Sequence, residues 1–235
     1  MTSSTFHDRQ EAGEALAKRL EHYKNDPNTI VLGLPRGGVV VAAAISDALR
    51  LPLDVFITRK LRAPCNLECA IGAITETGVT YIHEDVLCSQ NCHHSQLRAY
   101  LEHEIEVQNA EILRQKNLYR PDNSFTGFSA KTVIVVDDGV ATGSTFFVAV
   151  DALRKLGVGK IVGAVPVGPP EVIRRMRYKV DELTVLSQPE HFNAVDEFYR
   201  EFGQVSDEEV IRLIERQRGL TVSAPPPATT YQRAS

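Results

Sequence analysis

One stretch limits the fold and the chemistry together: Val133-Ile134-Val135-Val136-Asp137-Asp138-Gly139-Val140-Ala141-Thr142-Gly143-Ser144-Thr145. A run of four β-branched apolar residues reads as a strand buried on both faces, the signature of a parallel sheet lying under helices. Two adjacent carboxylates end it, and a loop of small and hydroxyl residues then opens a helix over 144–156 that stops at Gly157. In open α/β sheets ligands bind beyond the carboxyl ends of the strands, so chemistry is expected at this turn. The loop Gly139, Val140, Ala141, Thr142, Gly143, Ser144 and Thr145 lets backbone amides converge on an anion, while the helix start adds partial positive charge and the hydroxyls add donors. Asp137 and Asp138 cannot hold phosphate, but they can accept from vicinal sugar hydroxyls and sit beside a magnesium ion that neutralises a polyphosphate. The expected ligand is a phosphorylated sugar. No Lys follows Gly143, which excludes the G-x-x-x-x-G-K-[ST] loop, and no G-x-G-x-x-G follows any strand.

The rest of the chain supplies the alternation such a sheet needs. Ala12, Ala15, Leu16, Arg19 and Leu20 at helical spacing predict an amphipathic helix over 8–23, ended by Asn25-Asp26-Pro27. A strand over 29–34, the turn Pro35-Arg36-Gly37-Gly38 and a helix over 39–49 follow, then a strand over 53–58 and a hairpin of 70–75 with 79–82. Leu97, Leu101, Ile105, Ile112 and Leu113 form one stripe of a long surface or lid helix over 94–119. Further strands are expected over 131–136, 161–165 and 182–186, with a helix over 170–178, and Ser206 with Glu209 forms a capping box for a last short helix ending near Gly219. The expected architecture is α/β, a mainly parallel twisted sheet flanked by helices with a small helical and hairpin hood. Residues 1–220 read as a single domain with hood material at 84–119 and 189–202, and residues 221–235, which include Pro225-Pro226-Pro227, read as a disordered tail.

Composition acts as a filter on partners. A formal net charge of -4 argues against a general electrostatic grip on nucleic acid, so phosphate must be held locally. The longest apolar run, 39–45, falls far short of the roughly 20 residues of a bilayer span, and the N-terminus has no signal-peptide core. A cytoplasmic protein with no membrane partner is expected. The chain is long enough to bury a core without crosslinks. Cys65, Cys69, Cys88 and Cys92 form two C-x3-C pairs, with His93 and His94 after the second, yet this spacing flanks strand and hairpin rather than a zinc knuckle. Reduced thiols are the expectation.

The stretch 133–145 resembles the phosphoribosyl pyrophosphate signature of type I phosphoribosyltransferases. Further segments, Leu34-Pro35-Arg36-Gly37-Gly38-Val39, Thr58-Arg59-Lys60-Leu61, Pro64-x-Asn66-x-Glu68-x-Ala70-Ile71-Gly72-Ala73 and Gln204-Val205-Ser206-Asp207-Glu208-Glu209-Val210, resemble a bacterial-type predicted group of that superfamily, from residue 6 to about 218. The resemblance implies Asp137 and Asp138 as acids on the ribose hydroxyls and on Mg2+, 139–145 as the holder of the 5-phosphate, and Arg36, Gly37 and Gly38 as the pyrophosphate loop. It implies Arg59 and Lys60 at the end of the second strand as cations on pyrophosphate, and 62–71 as a mobile loop in which Glu68 is a candidate acid or base. Arg62, Cys65 and Leu67 stand where that group usually carries Gly, Gly and Pro.

The implied reaction displaces pyrophosphate from the anomeric carbon by a nitrogen nucleophile, with inversion and an oxocarbenium-like transition state. Ala141 stands where 6-oxopurine enzymes of the superfamily carry a further Asp, which argues against hypoxanthine, guanine or xanthine as acceptor. Phe192, Tyr199 and Phe202 are candidates to stack on a base, while His191, His93 and His94 read as surface residues. The implied partners are phosphoribosyl pyrophosphate, a small nitrogenous acceptor and a second copy of the chain. The rival reading is a non-catalytic regulator that senses phosphoribosyl pyrophosphate, though no helix-turn-helix is appended; a third is hydrolysis or phosphorolysis of a sugar phosphate at the same site.

Overall fold

A computed structural model describes residues 5–63, 66–82, 94–121, 127–217 and 219, with the backbone alone at 66–70 and 94–97. In chain order the elements are α1 (Arg9–Arg19), β1 (Thr29–Gly33), α2 (Gly37–Leu49), β2 (Leu53–Val55), β3 (Thr58–Ala63), β4 (Asn66–Thr75), β5 (Thr80–Ile82) and α3 (His94–Tyr119). They continue as β6 (Thr132–Val136), α4 (Ser144–Lys155), β7 (Lys160–Val167), α5 (Pro170–Arg177), β8 (Glu182–Ser187) and α6 (Asp207–Gln217).

Five parallel strands form one sheet in the order β2-β1-β6-β7-β8, as the apolar runs require. Side chains alternate across it: Val133 and Val135 of β6 meet Phe146 and Phe147 of α4, whereas Ile134 and Val136 meet Leu16 of α1 and Val41 and Ile45 of α2. Helices thus cover both faces. The Ser206 cap expected for the last helix is present, its hydroxyl accepting from the Glu209 amide at 3.2 Å, and Asp8 caps the first helix by accepting from the Glu11 amide at 2.8 Å.

Two departures from the sequence reading concern the second quarter of the chain. The apolar run over 53–58 predicts one strand, but β2 ends at Val55 and β3 opens at Thr58 in a separate antiparallel sheet, β3-β4-β5. The break has a packing cause: Phe56 is buried with β1, β6 and α4, while Val55 and Ile57 are buried with β3, β4 and α3. Residues 62–71 read as a mobile loop, yet the described part is extended and paired, Arg62 with Ala70 and Ala63 with Asn66. The hood material lies in two places: α3 packs through Ile112 and Tyr119 on the small sheet and α6, whereas 192–202 packs on Phe6 and Ala12 at the start of α1. Pro64, Cys65, residues 83–93 with Cys88, Cys92 and His93, and the tail 220–235 lie outside the described residues. No helix of the described residues is long and apolar enough to cross a membrane.

A buried ionic cluster joins the two sheets. The Arg120 guanidinium, just after α3, bonds the Glu76 carboxylate in the β4–β5 turn, and Asp54 Oδ1 of β2 is 4.0 Å from Arg120 Nε. Their side chains are 3%, 2% and 5% exposed. Burial pushes the Glu76 carboxyl above the usual range, and the Arg120 charge opposes that rise. Removing one partner strands the others in a low-dielectric site, so Arg120→Met is expected to lower stability by about 3 kcal/mol in urea denaturation. Because a carboxyl whose folded pKa is raised loses stability as pH rises through that value, the deficit relative to wild type should shrink on acidification.

Candidate active site

The strand order reverses between β1 and β6: the chain steps from β1 to β2 on one side, and β6 to β8 extend on the other. The turns after β1 and β6 therefore part, and parallel sheets place ligands in that crevice. A cavity of about 750 Å³ opens there, lined by 34–37 after β1, Lys60 of β3, 137–145 after β6, Glu171, Val172 and Arg175 of α5, and Val195 and Phe202.

The acid pair forms its centre. Asp137 Oδ1 accepts from the Asp138 amide at 3.0 Å, and its Oδ2 from the Thr145 hydroxyl at 3.4 Å. Burial first, and the Asp138 charge second, push the Asp137 carboxyl well above the usual carboxylate range, while Lys60 and Thr145 pull it down. Asp138 is held from behind: its Oδ2 accepts from Arg9 Nε at 2.7 Å, and its backbone carbonyl accepts from the Tyr199 hydroxyl at 2.6 Å. Arg9 in turn donates to the Gly203 carbonyl at 2.9 Å and lies 3.7 Å over the Phe202 ring. Tyr199 is itself buried, and Phe192 stacks on Phe198 at 5.2 Å, so of the three aromatics expected to meet a base only Phe202 lines the cavity.

The turn after β1 packs directly on these acids. A Cβ on Gly37 would sit 1.9 Å from Asp138 Oδ2, and one on Gly38 would sit 2.7 Å from the Val136 carbonyl, so both glycines serve close approach of the two turns. The Pro35–Arg36 peptide between them and β1 is cis. Arg36 starts α2 with its guanidinium half-exposed and 3.8 Å from Asp207 Oδ1. Asp207 also accepts from Arg114 and from the Tyr119 hydroxyl, each at 2.6 Å. Burial works against the Asp207 charge, but these donors hold its carboxyl below the usual range.

The loop 139–145 keeps donors open. The Val140 amide is used on the Val167 carbonyl at 3.0 Å, whereas the Ala141, Thr142 and Gly143 amides have no acceptor among the described residues. Gly143 has φ of 75°, and a Cβ there would also lie 2.7 Å from the Phe147 ring. The Thr142 and Ser144 hydroxyls are 2.8 Å apart at the start of α4. This is an anion cradle with unused amides at a helix start.

Strand alternation divides the two cations of β3. Lys60 lines the cavity, while Arg59 points to α3, where it donates to Gln108 Oε1 at 3.0 Å and burial pulls its pKa down. Glu68 lies in β4, its side chain outside the described atoms. Sequence reasoning missed Arg9, Arg175 and Glu171. Glu171 and Arg175 follow the carboxyl end of β7 at helical spacing, so the strand-end rule applied to a third strand would have found them. Nothing local marks Arg9, whose partner is 129 residues away. Among the described residues no group of three His, Cys, Asp or Glu could hold a metal.

The phosphoribosyl transferase domain model matches residues 3–202. The chain belongs to that family. It is 37% identical over 211 residues to two Mycobacterium tuberculosis proteins, of strains CDC 1551 / Oshkosh and H37Rv, that carry the provisional name phosphoribosyl transferase. The match covers 90% of this chain and 46% of theirs, so the chain spans about half the length of these curated relatives. The solved structure of TT1426 from Thermus thermophilus superposes with a TM-score of 0.72 at 36% identity, covering 91% of this chain and 99% of that one.

Two outcomes are expected at this cavity. Gly37→Ala must displace the Asp138 carboxylate, and urea denaturation should show a loss of about 2 kcal/mol. Asp207→Asn removes a carboxylate whose folded pKa is depressed, so its contribution is full above the unfolded value of about 4 and fades as pH falls through the folded one. Thermal unfolding should place the variant below wild type at pH 7, with the gap closing under acid.

Proposed function

We propose that the chain transfers a 5-phosphoribosyl group from Mg-phosphoribosyl pyrophosphate to a small nitrogenous acceptor and releases pyrophosphate. The observation that carries this reading is the meeting, in one cavity, of three open loop amides, the Asp137–Asp138 pair, and the cations Arg36 and Lys60. The amides and the Ser144 and Thr145 hydroxyls take the 5-phosphate, so its binding energy orients the sugar. Asp137 and Asp138 accept from the ribose hydroxyls. Lys60 and Arg36 stabilise charge on the departing pyrophosphate.

The donor set suits magnesium, which takes hard oxygens from one or two carboxylates and fills its remaining positions from phosphates and water. Asp137 and Asp138 would hold it, the Arg9 bond engaging Asp138 through Oδ2 and leaving Oδ1 to face a cation. Bound with the donor, the ion would neutralise charge on the leaving group. Phe202 and Val195 give the cavity an apolar wall for the acceptor. A cytoplasmic location and a homodimer belong to the same proposal.

Calorimetric titration with Mg-phosphoribosyl pyrophosphate tests it, on wild type and on Asp137→Asn/Asp138→Asn, with pyrophosphate release measured in the presence of mixed bases. Wild type should bind, the double variant should bind at least about tenfold more weakly, and wild type alone should release pyrophosphate. Binding without release would replace transfer by sensing of the same ligand. Absence of wild-type binding would overturn the site.

A further inference from the structure

Three cations line the cavity, and they differ in what already satisfies them. Arg36 has Asp207, and Lys60 faces the acid pair, where its charge pulls down the Asp137 carboxyl. Arg175 has no carboxylate partner among the described residues. Its guanidinium lies 4.8 Å from the centroid of the Phe147 ring and donates through Nη2 to the Tyr81 hydroxyl at 2.8 Å. Phe147 is the ring against which Gly143 packs, so Arg175 stands beside the open amides of the loop. Stacking on an aromatic face leaves the in-plane donors of a guanidinium free, and one bond to Tyr81 uses only one of the five.

The small sheet links Arg175, through the Tyr81 hydroxyl, to the strand that carries Lys60. Tyr81 of β5 is directly opposite Ala73 of β4, and Ala73 is opposite Lys60 of β3. Residues opposite one another share a face, so Tyr81 and Lys60 stand in one row on one side of the sheet. Two strand spacings separate their backbones by roughly 10 Å. Lys60 and Arg175 both line the cavity, Lys60 beside the acid pair and Arg175 held by Tyr81 beside Phe147.

We infer that Arg175 is a side-chain ligand for the phosphate end of the substrate, and that Arg175 and Lys60 grip the two anionic ends of one phosphorylated pentose. This rests on the reading given above for the same cavity. It adds to the backbone cradle a planar donor from α5 and makes the site selective for ligands charged at both ends.

A crossed titration tests the assignment with ribose 5-phosphate and Mg-pyrophosphate as separate probes of the full chain. Arg175→Met should weaken ribose 5-phosphate by about tenfold or more and leave Mg-pyrophosphate within about twofold; Lys60→Met should do the reverse. Arg175→Lys, a point charge without the fork, should recover part of the loss. Retained pyrophosphate affinity shows that each Arg175 variant is folded. Unchanged ribose 5-phosphate binding in Arg175→Met, or equal loss of both probes, would overturn the inference and leave the proposed function standing. If wild type binds neither probe, both fall.

Discussion

Asp137 and Asp138 repel one another at the end of a buried strand, and the surrounding elements contain that repulsion. The Asp138 amide and the Thr145 hydroxyl turn to Asp137, Arg9 comes from the first helix to Asp138, and Tyr199 fixes the carbonyl of Asp138. Burial and the neighbouring Asp138 charge raise the Asp137 carboxyl, while Asp138 accepts from the Arg9 guanidinium, so the two neighbours sit in different surroundings. The turn after β1 fits against them because Gly37 and Gly38 carry no side chain. A loose N-terminal helix would release the acid pair, which ties the start of the chain to chemistry at its middle.

Parallel topology explains why these parts meet. The strands around the reversal of order end at the same edge, so loops far apart in sequence converge without any long excursion. Three turns supply three functions: a steric platform and a guanidinium after β1, acids and open amides after β6, and a cation from the helix after β7. The small antiparallel sheet closes the remaining side and brings Lys60.

Much of this was legible because its signals are local. Val133 to Val136 are β-branched without interruption, the acids follow at once, and the small-residue loop and helix need no distant information. The β1 turn and the alternation of strands with helices were readable for the same reason. Val55-Phe56-Ile57 was not, since a continuous apolar run looks like one strand, and only the two clusters that Phe56 and Ile57 enter reveal the change of sheet. Arg59 and Lys60 look equivalent in sequence until strand alternation sends one to Gln108 and the other to the cavity. Arg9 and Arg175 depend on packing between elements, which no window of sequence contains.

The Asp54, Glu76 and Arg120 cluster bears on how the molecule opens. Its members come from the parallel sheet, the hairpin turn and the end of α3, so parting any one of them leaves charge in a dry interior. Subglobal opening of the α3 and hairpin region alone is therefore penalised, and its amides should exchange with solvent only near the free energy of complete unfolding. The cluster thereby couples the two sheets. Among the described residues, movement at the cavity rim leaves this charge cluster intact, whereas parting the two sheets at Asp54, Glu76 and Arg120 does not.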